Sequence, residues 1–406
     1  MRLRIKEICD YVSRGTTPDY VDEGANKVMN QATFSKGWID ESNIRYTSKA
    51  NKGARIMKGD LLMASTGGGV LGKVFFFDDD DSFYADSHVT IMRNSKGANL
   101  MKYLYYYFYL RYEEINATMV KGSTNQTELQ RNYLLSYELD VPTLADQQRM
   151  ITYLDTKLSE IDHQVSLLTS KRDAYLRLKK SIINHAVTRG LDPNVKMKDS
   201  GIEWIGEVPE HWEVKRMKDI CALSPNIKSC SEYEYGSYLP MEGLRLDQIE
   251  TSDELVSTLQ GKYTPFEDND LLVAKVTPCF ENGNIAIAKG LTNGVGFGSS
   301  EIFVLRANKY NNIRFLFYMS LSSKFQDKAC ATMCGVGGLK RISPLFMKTY
   351  IMAIPPSTEQ NAIATYLDDK CAKIDTIVSN LDKQISRYAD LERSLIDEVI
   401  TGKRAV

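Results

Sequence analysis

No apolar run in this chain approaches the roughly 20 residues a membrane-spanning helix needs, and none opens it as a secretory leader would. The expectation is a cytoplasmic protein with no membrane contact. Cysteine is sparse and unpatterned. The seven are Cys9, Cys221, Cys230, Cys279, Cys330, Cys334 and Cys371, an odd number and widely scattered. Free thiols in a reducing compartment are the simplest reading, rather than a disulfide framework. Cys330 and Cys334 lack a second ligand pair at zinc spacing. The four histidines, His88, His163, His185 and His211, are far apart, and His163 and His185 fall on a predicted helix, so no triad emerges. An excess of charge of one sign is missing too. The net charge is −1, so composition alone carries no nucleic-acid signature. Such binding would need local basic patches, or partners that supply the charge.

Catalytic motifs are also lacking. Gly67-Gly68-Gly69-Val70-Leu71-Gly72-Lys73-Val74 is one residue short of a phosphate-binding P-loop. That motif needs Ser or Thr where Val74 stands, and a helix next, whose N-terminus meets the phosphates. Phe75-Phe76-Phe77 follows instead and reads as a strand, so the loop is expected to be a flexible turn. Asp78-Asp79-Asp80-Asp81 reads as a solvated loop rather than a cation site. No catalytic constellation and no metal site is found.

What the chain does have is a repeat. Gln360 lies 213 residues after Gln147, and at that offset Thr152-Tyr153-Leu154-Asp155 matches Thr365-Tyr366-Leu367-Asp368. Lys157, Ile161, Asp162, Ser166, Leu168, Tyr175, Ser181 and Thr188 then match Lys370, Ile374, Asp375, Ser379, Leu381, Tyr388, Ser394 and Thr401 without a gap. The 406 residues are therefore two copies of one unit, a globular region followed by a long helix. Leu154, Leu158, Ile161, Val165, Leu168, Arg172 and Tyr175 are spaced as the a and d positions of a heptad. Leu367, Cys371, Ile374, Val378, Leu381, Ile385 and Tyr388 follow in the same register. Pro142 and Pro355-Pro356 precede the helices, and Gly190 and Gly402 follow them. Two seams of matched register are expected to pack on each other. Closure about a pseudo-dyad makes the helices antiparallel. A parallel pairing is also compatible with the connection from Gly190 to Trp212.

The globular regions correspond loosely. Lys6-Glu7-Ile8-Cys9 resembles Lys218-Asp219-Ile220-Cys221, and Gly59-Asp60-Leu61-Leu62 resembles Asn269-Asp270-Leu271-Leu272. The offset wanders between 210 and 213, so insertions lie inside. Strand-like runs at 61–64, 74–77, 89–93, 271–274, 285–288 and 302–306 precede helical stretches near 101–111 and 313–321. The expected class is α+β, with a curved, mostly antiparallel sheet in each region. The tyrosines of 103–112 are expected to pack their helix onto that sheet rather than to stack on bases. Two similar readers of different targets would look like this.

Between Ser42 and Gly59 stand Arg45, Lys49, Lys52, Arg55 and Lys58 with no acid among them, either a solvated face or a phosphate-contacting patch. The loop Lys121-Gly122-Ser123-Thr124-Asn125-Gln126 and its counterpart, Gly335 to Arg341, are the candidates for base readout. Asn and Gln can pair bidentately with adenine, and Lys or Arg with guanine.

Together these residues resemble the specificity subunit of type I restriction-modification systems. The strongest marker is Ser200-Gly201-Ile202-Glu203-Trp204-Ile205-Gly206-Glu207-Val208-Pro209-Glu210-His211-Trp212. The approaches from Pro142 to Gln147 and from Pro355 to Gln360 agree, as does Arg14-Gly15-Thr16-Thr17-Pro18. The first copy departs in lacking the tryptophan-containing approach. The resemblance implies two pseudo-symmetric α/β target recognition domains separated by a long antiparallel two-helix coiled coil. The expected limits are recognition domains at 1–144 and 212–355, helices at 145–190 and 356–406, and a linker at 191–211. It also implies that the chain is non-catalytic and reads a bipartite site in double-stranded DNA. Two modification (methyltransferase) subunits would dock on the helices, and restriction/translocase subunits would join them. S-adenosylmethionine, ATP and Mg would sit on those partners. Candidate DNA-binding residues in the first region are Thr16, Thr17, Lys52, Ser65, Thr66, Lys73, Ser87, His88, Lys121, Ser123, Thr124, Asn125 and Gln126. In the second they are Lys275, Thr277, Asn282, Asn284, Ser299, Ser300, Lys340 and Arg341. The helix seam is assigned to Leu154, Leu158, Ile161, Val165 and Leu168 with Leu367, Ile374, Val378, Leu381 and Ile385. The alternatives are a recognition subunit of a related fused restriction system, and a coiled-coil tether that binds proteins.

Overall fold

The structure is a computed structural model that describes residues 1–406 except 50, 96, 122–126, 226, 228–231 and 337. The chain divides into two compact units. One comprises residues 1–168 with 383–406, the other residues 169–382.

In the first unit the strand Val89–Arg93 lies between Tyr11–Arg14 and Leu61–Ala64, and Val74–Phe76 completes an antiparallel sheet of four. Leu61–Ala64 is buried on both faces, which is why it reads as an unbroken apolar run rather than an alternating one. A five-stranded sheet adjoins it, in which Asn26–Met29 runs parallel to Phe83–Ala85. The helix Ala98–Leu110 buries Met101, Tyr103, Leu104, Tyr106 and Phe108, so the tyrosine run does pack a helix onto the sheet.

The second unit repeats this plan. Ile302–Ala307 lies between Cys221–Leu223 and Leu271–Ala274, with Ile285–Ile287 at the far side. Its second sheet also holds one parallel pair, Tyr235–Leu239 with Val295–Gly298. The helix Ile313–Ser320 starts at Asn312, whose side chain accepts from the amides of Arg314 and Phe315. The segment 191–211 is not a bare connection. Met197–Asp199 pairs with Glu207–Pro209, and Ile205, Val208 and Trp212 enter the core. Trp212 is fully buried and donates its indole N–H to Glu359 at 3.2 Å. Gly190 ends the preceding helix with φ +77°, and a Cβ there would come within 2.9 Å of the Glu359 carboxylate.

The same devices hold both units together. Asp60 is buried and receives Nε and Nη2 of Arg93 at 2.6 and 2.7 Å, with the Met57 amide at 2.7 Å. Asp270 is buried and receives the same two groups of Arg306 at 2.7 and 2.6 Å, with the Glu267 amide at 2.8 Å. Each carboxylate thus ties the start of one central strand to the end of its neighbour. The short helix of each region is then clamped to a long helix. Tyr106 donates to Asp155 and Tyr318 to Asp368, each at 2.7 Å, with Lys102 and Arg314 beside them at 2.7 and 2.6 Å. Burial and the carboxylate push both phenols up in pKa.

The long helices are Leu144–Arg189, of 46 residues, and Ser357–Ile400, of 44. At about 1.5 Å per residue each is a rod of about 70 Å. Within the first unit Leu154 and Ile161 share a core with Leu395, Ile396, Val399 and Ile400. Within the second, Ile183, Ala186 and Val187 share one with Ile363, Leu367 and Cys371. Lys179 pairs with Asp375 at 2.6 Å and Arg172 with Asp382 at 3.5 Å, so seven residues back along one helix is seven forward along the other. The helices are antiparallel in that segment. Every expected seam residue is buried or half-buried.

Candidate nucleic-acid interface

The candidate residues gather where the central strand of each main sheet runs out. In the first unit the chain continues from Ala64 into Ser65 and Thr66. The amide of Ser65 donates to the carbonyl of His88 at 2.8 Å, and the amide of Leu129 donates to the carbonyl of Ser65 at 2.9 Å. Thr66 forms an isolated bridge with Glu128. Three segments distant in sequence thereby meet. Thr66 Oγ1 lies 2.6 Å from His88 Nδ1 and donates to Gln31 Oε1 at 3.1 Å. His88 itself is exposed, above a buried Asp86 that accepts its amide at 2.8 Å. Burial pushes the Asp86 carboxyl up, against the pull of that amide. Arg14 reaches the same place from the edge strand. It donates Nε to the Ser87 carbonyl at 2.8 Å and Nη1 to Glu128. Thr16 and Thr17 follow, lining a cavity of about 180 Å³ with Asp19, Lys49 and Asn51. Gly15 has to be glycine, since a Cβ there would collide with the carbonyls of Ala85 and Asp86.

The second unit builds its strand end identically in backbone and differently in side chain. The Lys275 amide donates to the Glu301 carbonyl at 2.8 Å, and the Ile342 amide to the Lys275 carbonyl at 2.9 Å. Val276 bridges Arg341, as Thr66 bridges Glu128. Lys275 Nζ donates to the Ser300 carbonyl at 2.6 Å and lies 4.7 Å from the Phe303 ring centre, and burial pulls its pKa down. Arg341 gives Nε and Nη2 to the two oxygens of Glu301, each at 2.9 Å. Ser299 Oγ accepts the Glu301 amide at 3.2 Å, and Ser300 is exposed beside it. Asn282 and Asn284 lie in the turn after Pro278, donating their amides to Pro278 and Cys279. Lys340 is exposed on the strand Leu339–Arg341.

Two candidates change role. Ser65 is fully buried, with its hydroxyl 2.5 Å from Thr90 Oγ1, so it pins two strands and cannot reach a ligand. Thr277 is buried as well. Its hydroxyl donates to the Gly338 carbonyl at 2.9 Å and accepts the Lys340 amide at 3.0 Å, so it shapes the hairpin rather than touching DNA. Lys73 donates to the Ser35 carbonyl at 3.0 Å, and a strand follows its loop, so no helix N-terminus is there to cradle a phosphate. Lys52 and Lys121 are exposed. Gly122, Ser123, Thr124, Asn125 and Gln126, and also Cys230, lie outside the described residues. Of the basic stretch, Lys58 pairs with Asp80 at 3.2 Å and Lys49 with Asp19 at 3.6 Å, so acidic neighbours answer part of that charge. Sequence reasoning missed Arg14, Glu128, Glu301 and Gln31. One signal was present: Glu128 and Arg341, like His88 and Glu301, stand 213 residues apart.

A duplicated α+β unit, with a variable polar cluster at the same strand end of each copy and a helix attached to each, defines a paired recognition module on a helical frame. The chain belongs to the family of the type I restriction modification DNA specificity domain, which matches residues 1–167 and 209–387. It is similar to the type I restriction enzyme EcoEI specificity subunit of Escherichia coli, with 28% identity over 198 residues, covering 48% of this chain and 33% of that protein. The match thus spans about a third of that relative's length. The putative type I restriction enzyme MjaX specificity subunit of Methanocaldococcus jannaschii is 22% identical over 414 residues, covering 98% of this chain and 92% of that one. In fold, the chain resembles a solved structure from work on complex assembly and conformational transition of the type I R-M system. The TM-score is 0.70 at 13% identity, with 98% and 97% of the two chains covered. Among the described residues no helix is long and apolar enough to cross a membrane.

Proposed function

We propose that this chain is the sequence-specificity subunit of a type I restriction-modification complex and itself does no chemistry. Each globular region, 1–144 and 212–355, reads one half of a split site in double-stranded DNA. The long helices set the gap between the halves. They also dock two modification subunits that carry S-adenosylmethionine and the methyl transfer. Restriction/translocase subunits, with ATP and Mg, join that assembly, which works in the cytoplasm. The observation that carries this reading is the pairing of a shared frame with unlike surfaces. The Asp–Arg bracket and the Tyr–Asp clamp recur in both units, while the side chains at the strand end do not. Exposed His88, Lys121, Lys340 and Arg341, with Thr16, Thr17, Thr66 and Ser300, are the polar groups to which this reading assigns contact with bases and phosphates. Exchange of residues 1–144 for the equivalent region of a relative tests it. Base-resolution methylation mapping should show one half-site replaced and the other kept. Change in both halves, or in neither, would refute the modular reading.

A further inference from the structure

Each unit holds an arginine against a carboxylate at the end of its main sheet, but the two partners have exchanged positions. Glu128 and Arg341 occupy one equivalent place, since each bridges the residue two positions beyond the strand end, Thr66 after Ala64 or Val276 after Ala274. His88 and Glu301 occupy another, since their carbonyls accept the amides of Ser65 and Lys275. In the first unit the anion is therefore on the returning strand, and the cation, Arg14, arrives from the edge strand Tyr11–Arg14. In the second the cation is on the returning strand and the anion sits where His88 stands in the first. Both pairs face solvent, where an ion pair contributes little to stability. What such a pair does supply is a fixed direction for the guanidinium plane. An arginine has five N–H donors. Two of Arg14's go to Ser87 and Glu128, and two of Arg341's go to Glu301, leaving three on each fork.

We propose that Arg14 and Arg341 each read a guanine through its O6 and N7, one in each half-site, with Glu128 and Glu301 as positioning residues that aim the forks. This rests on the DNA-reading function proposed above. A phosphate is the poorer match, because it would bring a second anion against a carboxylate already seated on the fork. The guanine edge is neutral and accepts two parallel hydrogen bonds without displacing that carboxylate. The free lone pairs of Glu128 and Glu301 can also accept from the N4 amine of a cytosine in the same groove.

The test uses the full chain assembled with its modification subunits, and maps both methylated targets and the bound sequences selected from a random duplex pool. The wild-type target should hold a G·C pair in each half-site. Arg14→Ala should relax that position in the first half-site alone, and Arg341→Ala in the second alone, with discrimination falling about tenfold or more. Arg14→Lys and Arg341→Lys keep the charge and donors but lose the planar fork, and should retain only part of the guanine preference. Glu301→Gln should lower guanine selectivity in the second half-site while affinity for unrelated duplex holds or rises. Alanine variants that keep full guanine discrimination at these positions would overturn the proposal, with the bipartite reading intact. So would alanine variants that weaken all sequences alike. A wild-type assembly that selects no split target would sink the underlying reading and the proposal with it.

Discussion

The two units share a buried Asp–Arg bracket and differ in the exposed Arg–Glu pair at the strand end. Asp60 with Arg93 and Asp270 with Arg306 match to within 0.1 Å in both bonds. Arg14 with Glu128 and Arg341 with Glu301 share a location and little else. A buried carboxylate that loses its partner is costly, so that pair tolerates no drift. A solvent-facing pair carries little stability and is free to change sign, strand or shape. The contrast teaches that the frame and the surface of such a chain vary independently, with the dividing line set by burial.

That contrast can be broken or sharpened in order of effect. The largest is expected from Leu381→Asp, which places an unpaired charge at a buried seam position. Partner assembly and methylation should be lost on every sequence, whereas the surface variants spare one half-site. An electrophoretic mobility assay of the assembled complex, with methylation mapping, reads both. Retained activity on any target would remove the seam from the frame. Next come Asp60→Ala and Asp270→Ala, each expected to cost about 3 kcal/mol by stranding an amide and removing an arginine's buried carboxylate, although Arg93 keeps the Arg55 carbonyl at 3.0 Å and Arg306 keeps Glu267 at 2.7 Å. Hydrogen exchange should accelerate in Leu61–Ala64 and Val89–Arg93 for the first variant, and in Leu271–Ala274 and Ile302–Ala307 for the second. Unequal costs would show that the brackets are alike in geometry but not in role. The smallest effect separates the helix-start glutamines. Both donate to a proline carbonyl at 2.9 Å, from Gln147 to Pro142 and from Gln360 to Pro355. Gln360 Oε1 also accepts the Asn312 amide at 2.8 Å, while Gln147 Oε1 is buried without a partner among the described residues. Gln360→Leu should therefore destabilise by about 1 kcal/mol more than Gln147→Leu. Equal midpoints in urea would dismiss that asymmetry.

Local features of the fold were readable from the sequence, because they are written in short-range pattern. Leu61–Ala64 and Leu271–Ala274 are doubly buried strands and so are uniformly apolar, and the heptads at Leu154 and Leu367 announce their seam directly. The parallel pairing of Asn26–Met29 with Phe83–Ala85 was not readable, since nothing local distinguishes a strand that recruits a partner from far along the chain. The candidate site was legible in part. Arg341 was found because it sits in a polar loop at the repeat offset. Ser65 was misplaced because a serine after an apolar run resembles a loop residue, and its burial depends on Thr90 on the neighbouring strand. Arg14 was quoted in a motif but given no role, since its meaning comes from Glu128, which reaches it only when the sheet closes.

The cysteines offer a practical consequence. Cys9 and Cys221 are buried, and burial pushes both thiols up to about 12, so alkylating reagents should leave them untouched. Among the described cysteines only Cys334 is exposed, and it pairs across the hairpin with Arg341. A maleimide dye attached there would stand beside the proposed guanine-reading arginine, and its emission would report engagement of the second half-site in real time.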